Sequence, residues 1–475
     1  MVERAYDAVI VGAGQNGLAA AITLAEAGRS VLILEGESVI GGGARTEEVT
    51  LPGFLHDICS TVHPLGITSP AFRRMPLAAH GLQWIHSPAA VAHPLDGGRA
   101  ALMERSVRAT AALLGRDGRA YRALFESLAA RWEDLAPEIL QPLLHLPRHP
   151  LLLARFGLPA LLPASALARA AFRDEPARAL FAGIAAHATL PLDSIPTASF
   201  GMVLALSGHA VGWPIARGGS RQIVAALASY LRSLGGEIVT DAYVGDLADL
   251  PPARATLLDV TPAQFLRIAG KQLPDDYRRR LSRYKHGLGT FKVDWALDGP
   301  VPWEAPECRR AATVHLGGTL DEIAAARRGE IAGRPAERPL VLFVQPTLFD
   351  PSRAPAGKHI AWGYCHVPLH STVDMTARIE AQVERFAPGF RARIIARHTY
   401  DSAELERHNP NLVGGDIGGG ETTLGQLVFR PTPGFSPYAT PLPNVFLCSA
   451  STPPGGGVHG MGGYNAARTA LRHCW

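Results

Sequence analysis

A glycine-rich turn near the amino terminus has the residue types and spacing to bind phosphate groups. Residues 12–17 read Gly-Ala-Gly-Gln-Asn-Gly and fit the pattern Gly-x-Gly-x-x-Gly. In such a turn the first glycine allows the sharp bend, the second lets the backbone approach a pyrophosphate, and the third allows close packing of helix on strand. The free amides at a helix N-terminus then stabilise the phosphate charge. The predicted phosphate contacts are Gly12, Gly14, Gln15, Asn16 and Gly17.

The elements around this turn supply the context that a nucleotide site requires. Residues 8–11 form an apolar run typical of a buried parallel strand, and the run at 17–27 is typical of a helix that ends at Gly28. A second apolar run at 31–34 ends in Glu35, whose carboxylate is placed to hydrogen-bond a ribose diol. Strand, turn, helix and acid together predict an adenine dinucleotide site.

Two further glycine runs favour FAD over NAD as the dinucleotide. Gly41-Gly42, followed by Thr46, can close on the phosphates from the other side. The run from Thr452 to Gly463 follows a predicted strand at 445–448 and opens a predicted helix at 460–471. The amides at the start of that helix can stabilise the negative charge of a reduced flavin ring.

The length of 475 residues predicts two domains. The predicted fold is α/β, with a Rossmann-like FAD/NAD(P)-binding domain of the glutathione-reductase type and an inserted α+β substrate domain. We assign residues 1–75, 215–287 and 425–475 to a discontinuous FAD-binding domain, and residues 76–214 and 288–424 to the substrate domain. Residues 76–214 are predicted to be mostly helical. Residues 288–297 alternate in the manner of a half-buried antiparallel strand.

Composition and charge exclude several classes of protein. A formal net charge of +4 predicts no nucleic-acid partner, and five scattered cysteines with no Cys-x-x-Cys pair predict neither a disulfide framework nor a metal site. The scattered cysteines and the early first strand favour a cytoplasmic protein. The apolar region 139–171 is broken by proline and arginine, which argues against a membrane span but leaves peripheral contact with a membrane surface open.

At four places the chain resembles the phytoene-desaturase-like flavoproteins, which are relatives of the carotenoid desaturases within the flavin amine oxidase superfamily. The resemblance is carried by residues 8–48, 53–64, 291–294 and 426–431 continuing through 447–454 to the last helix. It implies a substrate domain inserted into an FAD domain. It also implies hydride transfer from a carbon of an apolar substrate to the flavin N5, which leaves a double bond in the substrate.

The resemblance and the glycine runs together predict non-covalent FAD and a set of contacts to it. Arg45 suits the pyrophosphate as a bidentate donor. By the resemblance, Val244 meets the adenine through its backbone and Thr261 lies beside the phosphates. Beyond the first turn, the predicted contacts are Glu35, Gly41, Gly42, Gly43, Ala44, Arg45, Thr46, Val244, Thr261, Ser451, Gly457, Val458, His459 and Gly460.

Three residues are candidates for a catalytic role. Lys292 lies where amine oxidases place a lysine that holds a water near the flavin, and the alternative is a solvent-facing lysine on an alternating strand. His63 follows a segment that runs past the flavin in the resembled family, so it is a candidate base or polar gate, against the alternative of a structural histidine. His459 lies inside the predicted flavin-facing turn.

The sequence leaves three functions open. The first is an FAD-dependent dehydrogenase or desaturase that takes a hydride from a CH–CH bond of a lipophilic or ring-bearing small molecule. The second is a flavin amine oxidase, against which Val458 argues because it stands where amine oxidases have an aromatic residue. The third is a flavin-dependent isomerase without net oxidation. No separate NAD(P) domain is evident, so oxygen, a quinone or a protein is the predicted electron acceptor.

Overall fold

The computed structural model describes residues 5–434 and 436–475. The strands are β1 Tyr6–Val11, β2 Val31–Leu34, β3 Thr46–Glu47, β4 His56–Asp57, β5 Trp84–Ile85, β6 Ala89–Leu95, β7 Arg99–Glu104, β8 Ile215–Ala216, β9 Glu237–Val239, β10 Ala253–Leu258, β11 Gly289–Leu297, β12 Ala311–Leu316, β13 Val341–Val344, β14 His359–Val367, β15 Ile394–Tyr400 and β16 Val445–Leu447.

Helices account for most of the remaining regular structure. The α-helices are α1 Gln15–Glu26, α2 Pro64–Thr68, α3 Pro70–Arg74, α4 Val107–Leu113, α5 Gly118–Ala129, α6 Trp132–Ile139, α7 Pro150–Ala160, α8 Ala164–Ala171, α9 Glu175–Ala185, α10 Thr197–Val211, α11 Arg221–Ser233, α12 Pro262–Ala269, α13 Asp275–Leu281, α14 Leu320–Ile331, α15 Thr376–Phe386, α16 Ser402–His408, α17 Leu424–Phe429 and α18 Met461–Cys474.

A five-stranded parallel sheet forms the nucleotide-binding half of the molecule. Its strand order is β16-β10-β1-β2-β9, so strands far apart in sequence lie side by side. The apolar run of β1 is buried, as a central parallel strand requires. The first and last helices pack against each other so closely that a Cβ on Gly463 would lie 1.8 Å from the Asn16 carbonyl oxygen. The predicted α/β class with a Rossmann-like domain is confirmed.

A seven-stranded sheet of order β15-β11-β14-β13-β12-β6-β7 forms the second half. Its neighbours are antiparallel except β12 and β6, which run parallel. The region 76–214 is mostly helical as predicted, but it also contributes the β6–β7 hairpin at the sheet edge. The antiparallel strand expected at 288–297 is present as β11, but the expectation that it is half-buried was wrong, because every residue of the strand is buried. The exact domain boundaries stay a prediction.

A buried ion pair joins the two halves. The Arg353 guanidinium lies 3.0 Å from a carboxylate oxygen of Asp57, and both side chains are inaccessible to solvent. Asp57 also accepts hydrogen bonds from Thr46 and Thr61 hydroxyls and from the Ser220 amide. Burial opposes ionisation of this carboxyl, but Arg353 and the hydrogen bonds together hold its pKa below the usual value.

We expect Asp57→Ala to lower the free energy of unfolding by about 3–5 kcal/mol, because it leaves the Arg353 guanidinium buried without its counter-charge. Chemical denaturation of the holoprotein measures this loss. The matched control is Asp321→Ala, which removes an exposed partner of Arg169 and should have a much smaller effect. Equal losses in the two variants would show that the Asp57 pair does not join the halves in the way described.

Candidate active site

The first glycine turn has the geometry of a phosphate cradle. Gly12 has a φ of +99°, and a Cβ on Gly17 would lie 2.0 Å from the Gly12 carbonyl oxygen, so neither position accepts a larger residue. A Cβ on Gly14 would lie 2.9 Å from a carboxylate oxygen of Asp259. The turn leads directly into α1, whose first amides have no acceptor within the helix and point out of its N-terminus.

Asp259 is a member of this site that the sequence reasoning missed. Its Oδ2 atom accepts a hydrogen bond of 2.9 Å from the Gly17 amide. Burial and the nearby Glu35 carboxylate raise the pKa of Asp259 to about 7. The available signal was an acidic residue placed directly after a buried parallel strand, which is where ligand contacts collect in α/β sheets.

Glu35 lies at the end of β2 as predicted from its position. Its two carboxylate oxygens accept hydrogen bonds from the Ala13 amide at 2.7 Å and from the Glu37 amide at 3.1 Å. These bonds orient the carboxylate and leave lone pairs for the two hydroxyls of a ribose.

The second glycine turn closes on the first. The Gly41 amide donates to the Ala13 carbonyl oxygen, and a Cβ on Gly42 would lie 3.4 Å from the Gly14 Cα. Arg45 is buried, donates one bond to the Val39 carbonyl oxygen, and keeps a buried Nε atom without a protein partner. A buried guanidinium nitrogen without a protein acceptor, placed at a glycine turn, suits a phosphate oxygen as its partner.

The carboxy-terminal glycine turn meets the other two through α18. Gly460 directly precedes that helix and lies against α1, since a Cβ on Gly460 would lie 2.8 Å from the Ala19 Cβ. Gly457 is exposed and Val458 is part-exposed, so the turn presents open backbone. Ser451 is buried and donates to the Gly419 carbonyl oxygen. Residues more than 400 positions apart therefore form one surface.

These three turns fit FAD. The phosphates would lie on the amides of the first two turns beside Arg45, the adenosine ribose on Glu35, and the ring system at the carboxy-terminal turn. When bound, FAD supplies hydride acceptance.

Two predicted contacts, Thr261 and Thr46, are already engaged within the protein. Val244 is buried in the same apolar cluster as Val11, and its predicted contact with the adenine is through the backbone. Thr261 caps α12 through its hydroxyl and donates its amide to Asn411. Thr46 gives its hydroxyl to Asp57. Of the remaining predicted positions, Gly43 lies beside Cys59 and Ala44 is buried.

The two candidate histidines are both neutral at physiological pH. Burial lowers the pKa of His63 and of His459 to about 4. The Nδ1 atom of His459 accepts a hydrogen bond from the Met461 amide at the start of α18, so its proton sits on Nε2. His63 keeps a buried Nε2 atom without a protein partner and packs against the Trp84 ring. This geometry favours a helix cap for His459 and leaves His63 free to contact a ligand.

Lys292 is buried, with only 2% of its surface exposed, so the alternative of a solvent-facing lysine is wrong. Its ammonium group pairs with Asp294 and lies 5.0 Å from the centre of the Trp362 ring and 5.6 Å from that of Tyr400. Burial opposes the charge of Asp294, but Lys292 and then His56 hold its pKa below the usual value.

Asp294 and His56 were also missed by the sequence reasoning. Asp294 stands two residues after Lys292 on one strand, and this spacing places both side chains on one face of the sheet. The Nδ1 atom of His56 lies 3.4 Å from the other Asp294 oxygen. His56 comes from β4, so only the tertiary fold brings it to the lysine.

A small cavity opens beside Lys292. Its lining is Ile58, Cys59, Thr290, Lys292, Trp362, Tyr364, Leu405 and Ile417. Cys59 lines the cavity and also lies against the second glycine turn, because a Cβ on Gly43 would lie 3.6 Å from the Cys59 Cβ. The cavity therefore adjoins the cofactor surface.

The chain is similar to known nucleotide-binding domains and oxidoreductases. A family model described as an NAD(P)-binding Rossmann-like domain matches residues 10–75. The mouse pyridine nucleotide-disulfide oxidoreductase domain-containing protein 2 is 27% identical, with 98% of this chain and 93% of that protein covered. One of the subunits of limonene dehydrogenase from Castellaniella defragrans is 29% identical over 29% of this chain and 24% of its own length.

The fold is also shared with solved amine oxidase structures. Cyclohexylamine oxidase from Brevibacterium oxydans superimposes with a TM-score of 0.59 and 17% identity, covering 98% of this chain and 99% of that one. Fold, fingerprint and relatives together support an FAD-dependent oxidoreductase as the enzyme class and FAD as its cofactor.

The described residues contain neither a metal-binding cluster nor a single membrane-spanning helix. No group of three or more His, Cys, Asp or Glu side chains in residues 5–434 and 436–475 is arranged to hold a metal ion. Within those residues no one helix has both the length and the apolar composition of a membrane span. Helices α7 and α8 meet these criteria only as a pair, and the chain bends by 97° between them.

We expect the affinity of the apoprotein for FAD to fall as pH rises through 7, by at most about tenfold per pH unit, because ionised Asp259 repels the phosphates. The free energy of unfolding should fall over the range from about pH 4 to 7, because the folded-state pKa of Asp259, about 7, lies above the unfolded value of about 4 and the folded state therefore holds the proton more tightly. Asp259→Asn should remove the slope in FAD fluorescence titrations. The exposed-site control Asp276→Asn should retain it, and a slope that survives in Asp259→Asn would contradict the assignment.

We expect Lys292→Met to lower the free energy of unfolding by about 3–5 kcal/mol, because Asp294 then stays buried without its cation. Lys358 offers a matched control, since it pairs with Asp298 at the surface, and Lys358→Met should change stability little. Denaturant titration of both holoproteins makes the comparison. Similar small effects would mean that the Lys292 pair contributes no more than a surface pair.

Proposed function

We propose that the enzyme oxidises a CH–CH bond of a lipophilic or ring-bearing small molecule to a double bond. In this reaction the substrate loses one hydride, which bound FAD accepts, and one proton from the adjacent carbon. We expect oxygen, a quinone or a protein to serve as the electron acceptor. Peripheral contact with a membrane surface also stays a prediction.

The observation that carries this proposal is the chemistry of the cavity wall. Apolar and aromatic side chains dominate the lining, and the lysine in it is already paired with Asp294. Such a wall favours contact with an apolar substrate, and the cavity itself, at about 10 Å³, has room for about one water molecule. Positioning of the reacting C–H bond then supplies most of the rate.

The Lys292–Asp294 pair gives the cavity a charged corner. Because the pair is buried and His56 lies against Asp294, the ammonium and carboxylate groups are held in fixed positions. In the proposed reaction this corner holds a water molecule or receives the departing proton. A group in this role contributes about 10²–10⁴-fold to the rate.

Amine oxidation is the second candidate, and the shared fold with cyclohexylamine oxidase is what favours it. Two features of this chain argue against it. The cavity lining contains no unpaired carboxylate among the described residues to receive a substrate ammonium group. Val458 supplies an aliphatic side chain where an aromatic cage needs a ring. The partial similarity to limonene dehydrogenase supports a ring-bearing hydrocarbon instead.

The test is anaerobic mixing of the yellow holoprotein with two panels of compounds, cyclic hydrocarbons that contain CH–CH bonds and primary amines. We expect members of the hydrocarbon panel to bleach the oxidised flavin absorbance and mass spectrometry to show a product lighter by two hydrogens. Dithionite reduction controls for a reducible flavin. Bleaching by amines alone would establish the second candidate, and conversion of a hydrocarbon without bleaching or loss of mass would establish an isomerase.

A further inference from the structure

A group of exposed leucines lies between the end of α6 and the start of α8. Exposed large apolar side chains are more numerous in residues 143–162 than in any other stretch of that length in the described part of the chain. This leucine patch consists of Leu143, Leu144, Leu146, Leu151, Leu158, Leu161 and Leu162. Two members are almost fully exposed, Leu146 at 94% and Leu151 at 86%. Single exposed apolar residues are ordinary on a protein surface, but a contiguous group indicates an interaction site.

Helix α7 carries apolar residues on both of its faces. Leu152, Phe156 and Ala160 follow each other at intervals of four and form the face that is buried against the protein. Leu151 and Leu158 are two helical turns apart and share the opposite face, which is exposed. The solvent side of this helix therefore has the composition of a side that should be covered.

The loop before α7 is anchored to the body of the protein by Glu138. The Glu138 carboxylate is buried and accepts hydrogen bonds from the Arg148 amide at 2.8 Å, the His149 amide at 3.1 Å and the His145 Nε2 atom at 2.6 Å. These three bonds fix the loop on both sides of Leu146. The leucine patch is thus presented by ordered backbone.

The charges within this segment are all positive. Residues 139–173 contain no aspartate or glutamate, and their charged residues are Arg148, Arg155, Arg169 and Arg173. Arg148 and Arg155 stand between the leucines, are exposed, and pair with no carboxylate in the described part of the chain. An apolar surface with only cationic residues among its leucines is complementary to an apolar partner with a negative surface.

A basic cavity opens beside the leucine patch at Arg148. It has a volume of about 550 Å³ and lies between α1, α3, α18 and the loop before α7. Its lining is Thr23, Glu26, Ala27, Arg74, Arg148, Tyr464, Arg468 and Leu471. Since Arg148 lies two residues after Leu146 and three before Leu151, at most about 7 Å and 11 Å of chain separate the cavity from these leucines.

The guanidinium groups of this cavity have no counter-charge in the protein. The guanidinium carbons of Arg74 and Arg468 lie 6.0 Å and 5.5 Å from the centre of the Tyr464 ring, so the ring holds two cations near each other. Among residues 5–434 and 436–475, no carboxylate forms an ion pair with Arg74, Arg148 or Arg468. The acid in the lining, Glu26, accepts a hydrogen bond from the Tyr230 hydroxyl. Unpaired guanidinium groups around one cavity suit a phosphate.

We propose that the leucine patch and the basic cavity together dock the protein on an anionic phospholipid bilayer. The leucines enter the boundary between headgroups and acyl chains, and Arg74, Arg148 and Arg468 bind the phosphate of a lipid headgroup. A bilayer satisfies both features, because its surface is negative and an apolar protein face enters it to a depth of about 5–10 Å. This docking surface goes beyond the proposed reaction and does not depend on it.

A second copy of the chain fits this surface less well. In a two-fold symmetric dimer the same patch meets itself, so the arginines of one copy would approach those of the other. Like charges brought together across an interface oppose association. A lipid surface brings the opposite charge instead.

The test is flotation of the holoprotein with vesicles of phosphatidylcholine alone and with vesicles that also contain phosphatidylglycerol. We expect at least about tenfold stronger binding to the vesicles with phosphatidylglycerol, because each arginine near an anionic surface contributes about fivefold. The difference should shrink as the salt concentration rises. Absence of binding to either vesicle, or equal binding to both, would overturn the proposal.

Two double variants separate the apolar contact from the charge contact. Leu146→Gln with Leu151→Gln should weaken binding to both kinds of vesicle by at least about tenfold, because two exposed leucines no longer enter the lipid. Arg148→Gln with Arg468→Gln should weaken binding to the anionic vesicles by about fivefold for each arginine removed and leave binding to phosphatidylcholine unchanged. All these side chains are exposed, so the FAD content of the purified variants should equal that of the wild type and reports that they are folded.

The matched control is Val373→Gln with Arg267→Gln, an exposed apolar residue and an exposed arginine outside both the patch and the cavity. This variant should bind vesicles as the wild type does, and an equal loss in it would overturn the assignment to the patch. Sedimentation velocity without lipid tests the other occupant. A dimer that Leu146→Gln with Leu151→Gln dissociates, together with no vesicle binding by the wild type, would assign the patch to a second copy. Inorganic phosphate that binds the holoprotein in calorimetry while vesicles do not would assign the cavity to a soluble anion. Both outcomes overturn the proposal, and neither involves turnover, so they are independent of the flavin bleaching experiment.

Discussion

The buried pair of Asp57 and Arg353 is the interaction on which the rest of the structure depends. Arg353 comes from the half that contains the seven-stranded sheet, and Asp57 comes from the segment after the second glycine turn. Arg353 also donates two hydrogen bonds to the Leu55 carbonyl oxygen. Since neither charge reaches water, each holds the other in place, and the two halves cannot separate without exposing both.

The same network positions the cavity next to the cofactor surface. Thr61 donates to Asp57 and accepts a hydrogen bond of 2.7 Å from the Trp362 indole, so the ion pair orients one wall of the cavity. Trp362 in turn lies against the Lys292 ammonium group. A chain of contacts thus runs from the join between the halves to the polar corner where we propose that chemistry takes place. The backbone near the join is equally constrained, since a Cβ on Gly219 would lie 2.4 Å from the Thr46 hydroxyl.

Much of the nucleotide site could be predicted because its signals are local. The spacing of Gly12, Gly14 and Gly17 follows from the turn that leads from β1 to α1, and Glu35 follows from the length of β2. The burial of Lys292 could not be predicted in this way. The alternation of apolar and polar residues along β11 indicated that one face of the strand is exposed to solvent, whereas layers from distant parts of the chain cover both faces. The β6–β7 hairpin was missed for a related reason, since its pairing with β12 spans more than 200 residues.

By itself, the sequence determined the type of fold, the dinucleotide fingerprint and the three glycine turns, because glycine conformation and strand–turn–helix order are set by neighbouring residues. Only the tertiary structure decided which side chains share a site. Asp259 reaches the first turn from β10, His56 reaches Asp294 from β4, and Arg148 and Arg468 line the same cavity. Burial and charge pairing depend on every layer packed around a group, and no local pattern contains that information.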